Sequence, residues 1–88
     1  MAIYLIKYTP AAARQIKRLN KEVQTRLKPK IIKLAENPRP PGYKKLKGFD
    51  NHYRIRVGDY RVIYEIHDDV LQVLVVKVGP RRDIYCTD

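Results

Sequence analysis

The chain has 88 residues with 19 Lys/Arg against 9 Asp/Glu, a net charge of +10, which suits one domain with a single modest core and a polyanionic or strongly acidic partner. No run of about 18 apolar residues occurs, so neither a membrane span nor a signal-peptide core is expected, and the chain reads as a soluble cytosolic protein with no membrane partner. Cys86 is the only cysteine and there are two histidines, which excludes an internal disulfide and a cysteine-based zinc site and leaves no metal site or cofactor to expect.

In chain order, Ile3 to Tyr8 is rich in β-branched and aromatic residues and is predicted as a first strand. Thr9-Pro10 offers an N-cap followed by proline at the first helical position. A helix is expected from Pro10 to about Leu19, with Ala12, Ile16 and Leu19 on one face and Arg14, Lys17 and Arg18 outward. Asn20 ends it and caps a second helix, Lys21 to about Glu36, with Val23, Leu27, Ile31 and Leu34 at helical spacing. Pro29 falls on the side away from Leu27, and a bend or short break is expected there. The two helices form a hairpin laid on one sheet face.

Asn37 to Gly42 contains three prolines and reads as a stiff linker. A short edge strand is expected within Tyr43 to Gly48, then a loop from Phe49 to His52. Tyr53 to Val57 and Tyr60 to Tyr64 alternate around Gly58-Asp59, the signal of a tight hairpin. Val57 then pairs with Tyr60 and Arg56 with Arg61. Tyr53, Ile55, Val57, Tyr60, Val62 and Tyr64 share one face, with Arg54, Arg56 and Arg61 on the other. A second tight turn at Asp68-Asp69 would lead to a last strand, Val70 to Val78, covered on both faces and stopped by Gly79-Pro80. That register sets Arg61 opposite Val76. The fold class is α+β, a mainly antiparallel sheet with an N-terminal helical hairpin on one face, in the order β-α-α-β-β-β-β and a single domain over residues 1–88.

The charge is unevenly spread. Residues 1–50 hold 13 Lys/Arg and 3 Asp/Glu, whereas residues 51–88 hold 6 of each. The first half is a general positive field; the arginines of the second are individually placed. Two cations directly opposite each other repel, and an anion between Arg56 and Arg61 would offset that cost. Arg81 and Tyr85 can fold back beside this face from the end of the chain. Guanidinium groups bind phosphate bidentately and would stabilise the extra charge of a phosphorane, while Tyr85 can stack on a base or assist proton transfer. Such a set, Arg54, Arg56, Arg61, Arg81 and Tyr85, suits metal-independent RNA cleavage by attack of a 2′-hydroxyl on the adjacent phosphate. Lys44, Lys45, Lys47 and Arg82 would attract RNA. His52 and His67 are expected in a loop and a turn.

Ala35-Glu36-Asn37-Pro38-Arg39, Lys45-Leu46-Lys47-Gly48, Tyr53-Arg54-Ile55-Arg56-Val57, Tyr60-Arg61-Val62-Ile63-Tyr64 and Val78-Gly79-Pro80-Arg81-Arg82-Asp83-Ile84-Tyr85 together resemble the RelE/ParE toxin superfamily, and more narrowly its RelE-like messenger-RNA endoribonucleases. The resemblance covers nearly the whole chain. It implies ribosome-dependent cutting of mRNA in the decoding site and inhibition by a cognate antitoxin, RelB-like or another small acidic protein. Operator DNA would be met only through the toxin–antitoxin complex. It also implies that Arg61 is the phosphate-binding arginine, Arg81 a second active-site arginine and Tyr85 the C-terminal tyrosine. Arg54 and Arg56 stand where RNase members carry lysines. Arginine keeps its proton and is a poor general base, so proton abstraction falls to Tyr85, to water or to a ribosomal group. An acidic or amphipathic antitoxin segment is expected to cover the positive surface and the apolar positions Ile63, Leu74 and Val76. The alternative within the superfamily is a ParE-like inhibitor of DNA gyrase with no nuclease chemistry.

Overall fold

The computed structural model describes residues 3–48 and 50–80. Its elements are β1 (Leu5–Tyr8), α1 (Pro10–Arg18), α2 (Lys21–Lys33), β2 (Lys44–Lys45), β3 (His52–Val57), β4 (Tyr60–His67) and β5 (Gln72–Pro80). Five strands form one sheet in the order β1-β5-β4-β3-β2. The β2–β3, β3–β4 and β4–β5 pairs are antiparallel, and β1 joins β5 in parallel. The first and last strands therefore lie side by side, and β4 runs through the centre. No helix among the described residues is long and apolar enough to cross a membrane.

The helix signals act as read. The Thr9 hydroxyl accepts from Ala12 N at 3.1 Å and Asn20 Oδ1 accepts from Val23 N at 2.9 Å, each satisfying one of the donors a helix start leaves over. Helix α2 continues unbroken through Pro29. The proline is exposed, so the carbonyl of Thr25 that loses its donor faces water instead of a buried void. The helix stops earlier than the spacing suggests. Leu34, Ala35 and Glu36 donate to Ile31, Ile32 and Lys33, the tightened i to i−3 pattern of a closing turn.

Ala12, Leu27, Ile31 and Leu34 from the helices meet Ile55, Val57, Val62, Tyr64, Ile66, Val73, Val75 and Val78 from the sheet in one core. The two helices cover different parts of that face, α1 lying against β5 and β1 and α2 against β3. Helix α1 also closes the open edge of β5 beyond β1: Thr9 N donates to Val75 O, and Gln15 Oε1 accepts from Val78 N at 2.7 Å.

The β3–β4 hairpin has the expected register, with Val57 opposite Tyr60 and Arg56 opposite Arg61. Gly58 takes the turn at φ +60°, where an L side chain would be strained. The β4–β5 register differs from expectation. The connection uses four residues, 68–71, with Leu71 at φ 53° and its carbonyl accepting from Leu5 N. A bulge between Ile63 and Tyr64 then skips Val76. The longer turn shifts the partners by two and the bulge by one, so Arg61 faces Gly79 and not Val76. Strand β5 consequently begins later and runs through Gly79 to Pro80, which pairs with Tyr60. Nor is β5 fully covered on both faces: Val73, Val75 and Val78 are buried, whereas Leu74, Val76 and Lys77 are half-buried.

The stiff linker is pinned from three directions. The Tyr64 hydroxyl donates to Pro38 O at 2.7 Å inside the core. Arg39 spans both Asp68 oxygens at 2.9 and 3.3 Å, and Tyr4 OH donates to the same carboxylate at 2.5 Å. The Arg39 guanidinium also stands 5.9 Å from the centre of the Tyr53 ring. The Arg39 and Tyr4 hydrogen bonds hold the Asp68 carboxyl below its ordinary value, and burial pushes the Tyr64 hydroxyl well above its own.

Candidate functional site

Strand alternation places Arg54 and Arg56 of β3 and Arg61 of β4 on the sheet face away from the helices. Arg61 is 1% exposed and Arg54 5%, while Arg56 is exposed. Buried cations in the middle of a sheet are uncommon because desolvation is costly. That cost is visible at Arg54, whose affinity for its proton is lowered first by burial and then by the charge of Arg56. A bound anion would act against both effects.

Cross-strand rows assemble the surroundings. Lys44 faces Arg54, Arg54 faces Ile63, and Ile63 faces Lys77. Beside this row, Leu46 and Ile63 are buried with Val76 packed against them. Ile63 is thus already covered by the chain's own residues and is not an open apolar position for a partner. Pro41, Gly42, Arg54, Ile55 and Arg56 line a notch of about 360 Å³ at the outer edge of β3, beyond the two residues that β2 pairs. The notch leads from the exposed edge to the two β3 arginines and has the size of a small-ligand pocket.

Of the residues expected to attract RNA, Lys44 shares the arginine face. Lys45 pairs with Tyr53 and belongs to the opposite face, and Lys47 is exposed in the following turn. Arg81, Arg82 and Tyr85 lie outside the described residues. Lys77 was not singled out from the sequence; the bulge that brings it level with Ile63 leaves no signal in strand periodicity.

The histidines differ from expectation, since both are strand residues. His52 begins β3 opposite Glu65, and His67 ends β4. Glu65 accepts from His67 Nε2 at 2.8 Å and lies 3.5 Å from His52 Nε2. His52 Nδ1 donates to Asp50 O at 2.9 Å. This row occupies the arginine face at the far end of the hairpin, about 13 Å along β3 from Arg56 at roughly 3.3 Å per residue. Among the described residues, no three His, Cys, Asp or Glu side chains converge to hold a metal ion.

The domain is a small, strongly basic mixed sheet with a helical pair on one face and buried arginines on the other, and comparison with known proteins assigns its class. The family model for the ParE toxin of type II toxin-antitoxin system, parDE, matches residues 6–85. A RelE-like toxin protein of Escherichia coli is 33% identical over 86 residues, covering 93% of this chain and 90% of the relative. The mRNA interferase toxin RelE of Escherichia coli (strain K12) is 30% identical over 81 residues, 90% and 84% of the two chains. RelE in the crystal structure of the intact E. coli RelBE toxin-antitoxin complex superposes with a TM-score of 0.78 at 29% identity, covering 88% of this chain and 95% of that one. The chain belongs to the RelE/ParE toxin superfamily, as a type II toxin–antitoxin toxin of the RelE family.

Proposed function

We propose that this toxin is a ribosome-dependent endoribonuclease that cuts mRNA in the decoding site and so stops translation. The observation that carries the reading is Arg61, 1% exposed on the central strand and directly opposite Arg56. Such an arrangement favours an anion between the two guanidinium groups. Arg61 and Arg56 hold the scissile phosphate, and Arg54 adds charge from two residues along β3. The relatives named as mRNA interferases support this choice of anion.

In the proposed reaction the ribose 2′-oxygen attacks phosphorus, the 5′-oxygen of the next nucleotide leaves, and a 2′,3′-cyclic phosphate remains. The attacking hydroxyl loses its proton and the leaving oxygen gains one. The arginines stabilise the added negative charge of the phosphorane but are too basic to accept the proton. Tyr85, water or a ribosomal group takes it. Arg81 and Tyr85 complete the site from the segment after Pro80. The β4–β5 register favours this, because Gly79 lies opposite Arg61 and Pro80 opposite Tyr60, at the end of the hairpin where Arg56 and Arg61 face each other. A cognate antitoxin holds the toxin inactive; the RelBE complex of the E. coli relative supports such a partner.

The match to the ParE toxin family model favours a second reading, inhibition of DNA gyrase. Primer extension on mRNA from cells expressing the protein, run beside a supercoiling assay with purified gyrase, separates the two. New codon-phased 5′ ends with unaffected gyrase are expected. Growth arrest without such ends, together with loss of supercoiling, would replace the nuclease by the gyrase reading.

A further inference from the structure

Strand β1 covers the edge of β5 only as far as Val75, and beyond it the first helical turns take over the backbone groups of that edge. The Thr9 hydroxyl donates to Val76 O at 3.2 Å, and Gln15 Oε1 accepts from Val78 N at 2.7 Å. Past these contacts a notch of about 320 Å³ lies between Arg18 of α1 and Lys77 of β5, lined also by Leu19, Gly79 and Pro80. Arg18 is exposed and Lys77 half-buried. Among the described residues no carboxylate lines the notch, and neither cation has an acidic partner. The register ties this notch to the hairpin. Gly79 faces Arg61 and Lys77 faces Ile63, so Lys77 belongs to the arginine face. Its backbone stands about 8 Å from that of Arg61, at roughly 4.8 Å between strands and 3.3 Å per residue.

We infer that Arg18 and Lys77 hold the RNA phosphate next to the scissile one, a positioning subsite whose assignment rests on the nuclease reading given above. Two cations brought to one notch without an acid repel each other, and a phosphodiester between them offsets that cost. A strand whose scissile phosphate lies between Arg56 and Arg61 carries its next charge one nucleotide away, and the long Lys77 and Arg18 side chains bridge that step from the β5 edge. Lys77 approaches from the arginine face and Arg18 from the helix layer, so the RNA leaves the sheet over the edge of β5 and not along β4. A peptide strand is disfavoured there, because the Val76 carbonyl and the Val78 N–H that it would pair with are already bonded to Thr9 and Gln15. Contacts of this kind fix the register of the strand and read no base. They act on the placing of the scissile phosphate, at a distance from the reacting atoms.

The test uses the intact protein and two single-stranded RNAs made uncleavable by 2′-O-methyl groups, a dinucleotide with a single phosphodiester and a pentanucleotide. In amide-resolved NMR the pentanucleotide is expected to shift Arg18, Lys77 and Gly79 together with Arg56 and Arg61, and the dinucleotide to shift the hairpin alone. The double variant Arg18→Gln with Lys77→Gln should weaken the pentanucleotide severalfold at low salt. It should also lower the slope of log affinity against log salt by about 0.7, the value for one phosphate on a single strand, and leave the dinucleotide's affinity unchanged. Lys77→Arg keeps the charge and should retain most of the binding, while matching melting curves check that each variant folds. Equal weakening of both RNAs would reduce the notch to part of a general positive field. Shifts at the notch from a glutamate-rich peptide and none from RNA would give it to an acidic partner. Either result, or absence of RNA binding, would overturn the inference. No ribosome and no cutting enter the measurement. A protein that binds RNA in the notch but cuts no mRNA leaves the subsite standing and rejects the nuclease. Cutting of mRNA with pentanucleotide binding unaltered in the double variant does the opposite.

Discussion

The two halves of the chain use positive charge in different ways. Residues 1–50 account for all of the net charge, +10, while residues 51–88 balance to zero. In the first half the cations are exposed on helix surfaces and on β2. In the second, two of the arginines are buried in the sheet. Exposed charges act together, at long range and under salt screening, whereas a buried guanidinium acts at one place and keeps its strength. The first half is suited to attracting a polyanion or an acidic partner, the second to holding one phosphate.

That contrast can be broken by removing charge from each half. Arg56→Gln, a single charge from the hairpin, is expected to slow cleavage on programmed ribosomes by about 10²-fold, the range for loss of one transition-state donor. The triple change Lys44→Gln, Lys45→Gln and Lys47→Gln removes three charges, yet should weaken RNA association severalfold at low salt and little at high salt. Equal salt dependence for both variants would remove the distinction. In the fold, Tyr64→Phe deletes the buried hydrogen bond to Pro38 and should cost about 1–2 kcal/mol in urea unfolding. The smallest effect is at the exposed Arg39–Asp68 link. The folded-state pKa of Asp68 is lowered. Its contribution is therefore present above the ordinary aspartate value of about 3.9 and is lost as pH falls through the lowered value. Melting temperatures of wild type and Asp68→Asn measured from neutral to acid pH should converge at the acid end.

Much of the hairpin was legible because two local signals agree. Strict alternation sets which residues share a face, and Gly58-Asp59 fixes the turn length, so the Arg56–Arg61 pair follows. The helix starts were readable for the same reason, since Thr9 and Asn20 are capping residues beside apolar periodicity. The β4–β5 register was not, because the turn length depends on contacts from β1 to Leu71 and the bulge at Val76 leaves the apolar pattern of that strand unbroken. Burial of Arg54 and Arg61 was hidden too: alternation assigns a face without saying what covers it. Only the folded chain sets Arg39 on Asp68, or places His52 and His67 around Glu65. The notch at the β5 edge was equally invisible, since Arg18 reads as an outward helix cation and the place of Lys77 depends on the same bulge.

The proposed role of Arg61 is to bind the scissile phosphate. Its most direct test is single-turnover cleavage of ribosome-bound mRNA by purified wild type and by Arg61→Ala and Arg61→Lys, with circular dichroism to check folding. Codon-phased cuts by wild type are expected, with a loss of about 10²–10³-fold for Arg61→Ala and partial recovery for Arg61→Lys, which keeps the charge but loses the bidentate fork. A folded Arg61→Ala protein that cuts at the wild-type rate would contradict it.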